Sequence, residues 1–172
     1  MKQRRLGKHG SMISPIGIGA MSFSNFYGQT SEADSHAILN TALDEGVTHI
    51  DTADIYGPLT SEEVIGSFLA RQGPQRNDMF SIATKAGIAR DADTGKRYFD
   101  NSSAYLESRL DASLTRLGVD HVDLFYVHRR DANTPIEEVT DTLAALVKSG
   151  KTRSFGFSEI APASLRRAAS RH

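Results

Sequence analysis

The sequence predicts an α/β protein built on a parallel sheet with crossover helices. Two observations carry this. Short β-branched or aromatic runs alternate with longer amphipathic stretches, and the alternation repeats at roughly 30 residues, the size of one βα unit. A chain of 172 residues, 39% of them hydrophobic, suffices for one domain with a real core.

Arg4-Arg-Leu6 and Met12-Ile13 flank Gly7-Lys-His-Gly-Ser11 and read as a small N-terminal hairpin. Pro15-Ile-Gly-Ile-Gly19 is the first buried strand. Ser31 offers an N-cap, with Glu32 and Asp34 in the first turn; Ala37, Ile38, Ala42 and Leu43 follow at helical spacing, and Gly46 closes the helix. The strand Val47–Asp51 comes next, then a helix over 61–70 with Ser61 as its cap and Glu62 and Glu63 in its first turn. Phe80–Thr84 is the third strand. The polar segment 85–100 reads as a working loop over the strand ends. A helix opened by Asn101 runs through Leu106, Leu110, Leu114 and Leu117, read as core, to Gly118. Val122–His128 is the fourth strand. Pro135 sits in the first turn of a helix that ends before Gly150, Arg153–Phe157 is a fifth strand, and a further helix starts at Ala163. No linker divides the chain, so residues 1–172 read as a single domain. Two architectures fit: a doubly wound sheet, or part of a (β/α)8 barrel. Gly17-Ile-Gly-Ala-Met-Ser22 lacks the third glycine of a dinucleotide fingerprint, which weakens the first.

Charge and composition narrow the function. A net charge of -1 argues against nucleic-acid or membrane-surface partners, and no apolar run reaches the roughly 20 residues of a membrane helix. The basic start lacks the apolar stretch of a signal peptide, so a cytoplasmic location is expected. The absence of cysteine removes thiolate catalysis and Cys-based metal sites, and no metal site is expected.

Polar residues cluster where the apolar strands end: Asp51 ends the second, Tyr56 lies in the loop behind it, Lys85 follows the third, and His128 ends the fourth. In a parallel sheet these share one rim, and strand parity lets Asp51 and His128 face the same interior. An ammonium beside a phenol makes it a better proton donor, an Asp holds the ammonium in place, and a His can hydrogen-bond a carbonyl. Such a set can protonate a carbonyl oxygen while hydride, which no side chain supplies, arrives at carbon. Each residue alone has a blander reading: Asp51 and Lys85 as a structural ion pair, Tyr56 as a turn aromatic, His128 as a core histidine. His49 is read as a satisfied core histidine, and His9, His36, His121 and His172 as solvated. Arg129 and Arg130 read as a solvated pair beside Asp131, with an anionic substrate as the alternative. Phe26 and Tyr27 wall a pocket or anchor their loop.

Gly46-Val-Thr-His-Ile-Asp-Thr-Ala-Asp-Ile-Tyr-Gly57, Ala83-Thr-Lys85, Asp123-Leu-Phe-Tyr-Val-His128 and Gly156-Phe-Ser158 resemble, in order and spacing, the motifs of the aldo-keto reductase family. The resemblance covers the whole chain and implies a (β/α)8 TIM-barrel fold, here strands one to five with helices one to four and the start of the fifth. It implies NADPH-dependent reduction of small aldehydes or ketones, with Tyr56 as general acid, Lys85 and Asp51 activating it, and His128 orienting the carbonyl. Ser158 resembles the residue that holds the nicotinamide carboxamide; Gly19, Ala20 and Met21 resemble the backbone passing under the NADP cofactor, with Asp51 and Glu159 beside it. His128-Arg-Arg-Asp131 resembles the bacterial NADP-dependent branch. Glu159 stands where many members have Asn. A barrel of this kind has roughly 250 residues and seldom fewer than about 200. The chain is therefore expected to be either part of a longer polypeptide or to close a barrel with a second copy; the alternative function is a catalytically incomplete or regulatory member of the family.

Overall fold

A computed structural model describes residues 1–8, 10–57, 59–73, 75 and 78–171. His9 and His172, expected to be solvated, lie outside the described residues. The chain opens with an antiparallel hairpin of β1 (Arg4–Arg5) and β2 (Met12–Ile13). There follow β3 (Ile18–Gly19), a 3-10 turn (Ala20–Ser24), α1 (Glu32–Asp44), β4 (His49–Asp51), α2 (Thr60–Ala70) and β5 (Ser81–Ala86). A second hairpin, β6 (Ile88–Arg90) and β7 (Arg97–Phe99), precedes α3 (Ser103–Leu117), β8 (Leu124–Val127), α4 (Ile136–Lys148), β9 (Phe155–Phe157) and α5 (Pro162–Ala169). β3, β4, β5, β8 and β9 form one parallel sheet in chain order. The sheet does not close: β3 pairs with β4 alone and β9 with β8 alone among the described residues.

Alternation divides the strands into two faces. Ile50, Ile82, Phe125 and Val127 bury their side chains with Leu39 of α1, Ile65 and Phe68 of α2, Leu106, Leu110 and Leu117 of α3, and Val139 and Leu143 of α4. On the opposite face the register aligns Gly19, Asp51, Ala83 and Leu124. One step further along the strands, Lys85, Tyr126 and Gly156 align. This staggered inner face carries Asp51 and Lys85 towards the strands' C-terminal ends, and His49 aligned with Ser81 at the N-terminal ends.

Several local expectations change. Segment 85–100 holds the β6–β7 hairpin, because Asp91 accepts from the backbone N–H (2.8 Å) and hydroxyl (2.6 Å) of Thr94 and tightens the turn at Gly95. The 61–70 helix starts one residue early, and Ser61 does not cap it: its hydroxyl donates to the Ala20 carbonyl at 2.8 Å and meets Thr52 Oγ1 at 2.8 Å. Leu59 fills the cap position with φ 72°. Asn101 does not open its helix either; Ser102 is the cap, while Asn101 is buried and ties the Arg129 carbonyl and the Asp131 N–H together. Pro135 precedes its helix as the cap residue. Ser31 caps α1 in a reciprocal capping box with Asp34, as expected.

Glu62 stands in the first turn of α2, as expected, and is wholly buried. Its carboxylate accepts from Thr84 of β5 at 2.5 Å and from Arg116 Nε of α3 at 2.8 Å, joining three elements. Beside it α2 and α3 meet at Gly66, where a Cβ would lie 2.0 Å from the Arg116 carbonyl oxygen. Gly66→Ala must therefore push the helices apart and is expected to lower unfolding free energy by about 1–3 kcal/mol. An unchanged urea midpoint for the purified variant would show that the helices do not meet this closely.

Candidate active site

Asp51 ends β4, Lys85 lies near the end of β5, and His128 follows β8, all on the inner face. Tyr56 reaches them from the loop after β4. That loop turns back because Thr52 N–H donates to Ala83 O (2.9 Å), Asp54 N–H to Lys85 O (3.0 Å) and Leu59 N–H to Asp54 O (3.0 Å). Gly57 has φ 76°, and a Cβ there would lie 2.4 Å from Ser24 Cβ, so only glycine lets the first βα loop press against the residue after Tyr56.

Lys85 is the buried hub. Its ammonium donates to Asp51 Oδ1, to the Thr52 carbonyl at 2.7 Å and to the Tyr56 hydroxyl at 3.2 Å. An ammonium has three donors and no acceptor. The phenol oxygen therefore accepts from Lys85, and the phenol's own proton is left for another acceptor. The Tyr56 and His128 rings meet edge to face with centroids 5.8 Å apart. His128 Nδ1 is buried with no hydrogen-bond partner among the described residues. Burial first, then the positive charges of Lys85 and Arg129, push the His128 pKa down to about 4. His128 is consequently neutral at pH 7, able to donate from one ring nitrogen without bringing a second cation beside Lys85.

The sequence-predicted four converge. Gly19 lies exposed in register with Asp51, with open space where a Cβ would stand. Ser158 follows β9 on the same rim; its N–H donates to the Val127 carbonyl at 3.0 Å, and its side chain is exposed. Glu159 is also exposed and pairs with Arg129 at 3.3 Å. Ala20 is buried, and its carbonyl is taken by Ser61. Met21 is half-buried and faces the cavity beside Tyr56. A bare glycine ledge, an exposed serine hydroxyl and the Asp51 carboxylate thus form an open rim that fits a flat, polar cofactor ring, whereas the Ala20 side chain is closed to contact.

Other expectations need correction. His36 is buried, not solvated: its Nε2 meets Val64 O at 3.1 Å and Ser67 Oγ at 3.0 Å, because α1 packs this face on α2. His121 is half-buried and accepts from Arg153 Nε at 2.9 Å. His49 is half-buried on the inner face, and its Nδ1 finds no partner among the described residues, so it is not a satisfied core histidine. Arg129 and Arg130 are half-buried rather than solvated. Arg129 donates to the His128 carbonyl at 2.8 Å, and Arg130 donates to the Thr134 carbonyl. Phe26 stands 63% exposed in an edge-to-face pair with Tyr27 and borders the cavity in front of Tyr56.

Sequence reasoning missed a support beneath the Tyr56 loop. Asp54 is buried, and Arg109 Nε of α3 donates to its Oδ2 at 2.8 Å, while Oδ1 has no partner among the described residues. Burial outweighs the Arg109 contact and raises the Asp54 pKa to about 6. Nothing in the sequence marks this pair, since its two members lie 55 positions apart. The hairpin residues Ile88, Arg90 and Arg97, which line the same cavity, were hidden by reading segment 85–100 as a loop; the Asp93-Thr-Gly95 turn between two short apolar runs was the available signal.

The model of the aldo/keto reductase family matches residues 15–172. This chain belongs to that family. Among its relatives are "Aldo-keto reductase yakc [NADP(+)]" of Schizosaccharomyces pombe, 40% identical over 166 residues and 96% of this chain, and "Probable aldo-keto reductase 1" of Glycine max, 36% identical over 98% of this chain. The chain spans about half the length of these curated relatives, 48% of each. Among solved structures, aldo-keto reductase AKR11C1 from Bacillus halodurans (holo form) superposes with TM-score 0.85 at 30% identity, over 99% of this chain and 54% of that one. The glycerol dehydrogenase AKR11B4 from Gluconobacter oxydans gives 0.81 at 30% identity, over 99% and 52%. The fold is of the TIM-barrel type, with five strands present and the barrel open.

The two shifted groups act oppositely on stability. Between about pH 6.5 and 4 the unfolded chain binds more protons at His128 than the folded one, so this group's contribution falls on acidification. Asp54 binds its proton more readily when folded, so between about pH 6 and 3.8 its contribution rises on acidification. Asp54→Asn is therefore expected to steepen the loss of stability between pH 6 and 4 in urea titrations, whatever its effect at pH 7. Parallel pH profiles of the variant and the parent protein would contradict this assignment. By NMR, the His128 ring should show no titration between pH 5.5 and 8.

Proposed function

We propose that this chain carries the acid-catalytic half of an NADP-dependent oxidoreductase that reduces small aldehydes or ketones to alcohols. The observation that carries the reading is the Lys85–Tyr56 hydrogen bond, in which the phenol oxygen accepts and its own proton stays available, with Tyr56 lining a cavity. Bound NADPH would supply the hydride that no side chain can provide. Tyr56 gives its proton to the carbonyl oxygen as that oxygen gains charge, so the product leaves as a neutral alcohol. Lys85, held by Asp51 and the Thr52 carbonyl, stabilises the phenolate that remains. His128, neutral, donates a hydrogen bond to the same oxygen and aims it at Tyr56. Gly19, Met21, Asp51, Ser158 and Glu159 are the proposed cofactor-side residues, with Ala20 contributing backbone only. The names of two relatives support the cofactor: one is called an NADP(+) enzyme and the other a holo form.

We further propose that residues 1–172 act as one unit whose open edges, β3 and β9, are where the remaining barrel strands attach. A specific observation favours a second reading, that this chain alone is catalytically incomplete: it spans 48% of its curated relatives, and its sheet is open at both edges.

Tyr56→Phe tests the first reading. It is expected to lower NADPH-dependent reduction of 4-methylbenzaldehyde by at least about 10²-fold, while NADPH binding, followed by fluorescence titration, persists. Retained turnover in this variant would remove Tyr56 from the acid role. Absence of any NADPH binding to the parent chain would favour the incomplete form.

A further inference from the structure

We propose that the cavity in front of Tyr56 accepts carbonyl compounds that carry their own anion, a carboxylate or a phosphate, gripped by Arg90 and Arg97 of the β6–β7 hairpin with Arg129 beside them. This deepens the functional reading above and rests on it for the identity of the reacting end. The cavity has a volume of about 380 Å3. Tyr56 and His128 form its reacting end, and Arg90, Arg97 and Arg129 lie on its walls with no Asp or Glu among the lining residues.

The arrangement is costly unless something answers it. Arg90 and Arg97 are directly opposed across the antiparallel hairpin, and like charges so placed destabilise a strand pair. Neither has an acidic partner among the described residues; Arg90 reaches only the Gly95 carbonyl, at 3.4 Å. Asp93, nearby in sequence, forms no ion pair with either arginine among the described residues, and two other nearby acids are engaged elsewhere. Asp91 is held by Thr94, and Asp100 accepts from Ser102 N–H at 2.9 Å. Arg129 donates to the His128 carbonyl at 2.8 Å and pairs at 3.3 Å with Glu159, which is itself exposed. Guanidinium groups pair with carboxylate and phosphate in planar, two-pronged fashion. Phe26, Ile55 and Ile88 supply apolar wall for the carbon skeleton between anion and carbonyl.

Calorimetric titration of the purified protein with alcohol products tests this without turnover. The ligand pairs are 4-carboxybenzyl alcohol against 4-methylbenzyl alcohol, and glycerol 3-phosphate against glycerol. At low salt, at least one anion is expected to bind roughly tenfold more tightly than its neutral partner, and which one identifies the anion. In Arg90→Gln/Arg97→Gln the preference should fall to within about twofold, since an exposed charge pair is worth up to about fivefold per arginine. Arg90→Lys/Arg97→Lys, which keeps the charge but not the fork, should retain only part of it. Circular dichroism checks that each variant is folded. Equal affinity for anion and neutral partner, no binding of either anion, or a preference unchanged in the folded glutamine variant would each overturn the proposal. Tyr56-dependent reduction of 4-methylbenzaldehyde alongside such a result would leave the functional reading standing; its absence would remove that reading separately.

Discussion

The site turns on a single buried ammonium. Lys85 sits almost entirely out of water, and a cation there is tolerable only because each of its donors is met: one by a carboxylate, one by a backbone carbonyl, one by a phenol. Each partner comes from the β4 strand or the loop behind it, so satisfying Lys85 also fixes where Tyr56 stands. The third of these bonds makes the phenol oxygen an acceptor and leaves its proton for another partner. A pairing that reads as structural stability therefore also sets the position of the phenol beside the cavity.

That hub is supported from outside the sheet by two further buried carboxylates. Glu62 ties α2 to β5 and α3 directly behind the strand that carries Lys85. Asp54 ties the Tyr56 loop to α3 through Arg109. The first is fully met by Thr84 and Arg116, whereas the second keeps one oxygen without a partner among the described residues. Half-satisfied buried carboxylates cost stability, and this one lies two residues before Tyr56, where a backbone turn must be held against Leu59 at positive φ.

The electrostatics of the cavity are graded. At its inner end the charge of Lys85 is neutralised by Asp51 and the neighbouring His128 stays uncharged. Elsewhere on its wall Arg90 and Arg97 have no acidic partner among the described residues, while Arg129 pairs with the exposed Glu159.

Much of the site was legible in the sequence because strand parity and chain order suffice for it. Asp51, Lys85 and His128 each follow an apolar run, and in a parallel sheet the ends of such runs share a rim. The Ser31 cap and the core leucines of α3 were legible for the same reason, since their partners lie within one or two helical turns. What the tertiary structure alone decided involves groups far apart in the chain. Ser61 caps nothing because Ala20 and Thr52 claim its hydroxyl; Glu62 and His36 are buried because neighbouring helices cover them; Arg90 and Arg97 reach the cavity because a hairpin folds back over the rim. Local patterning reports which face of an element is apolar. It carries no information about which distant donor or acceptor will meet a polar side chain, and here that pairing settled which polar groups are support and which are free to act.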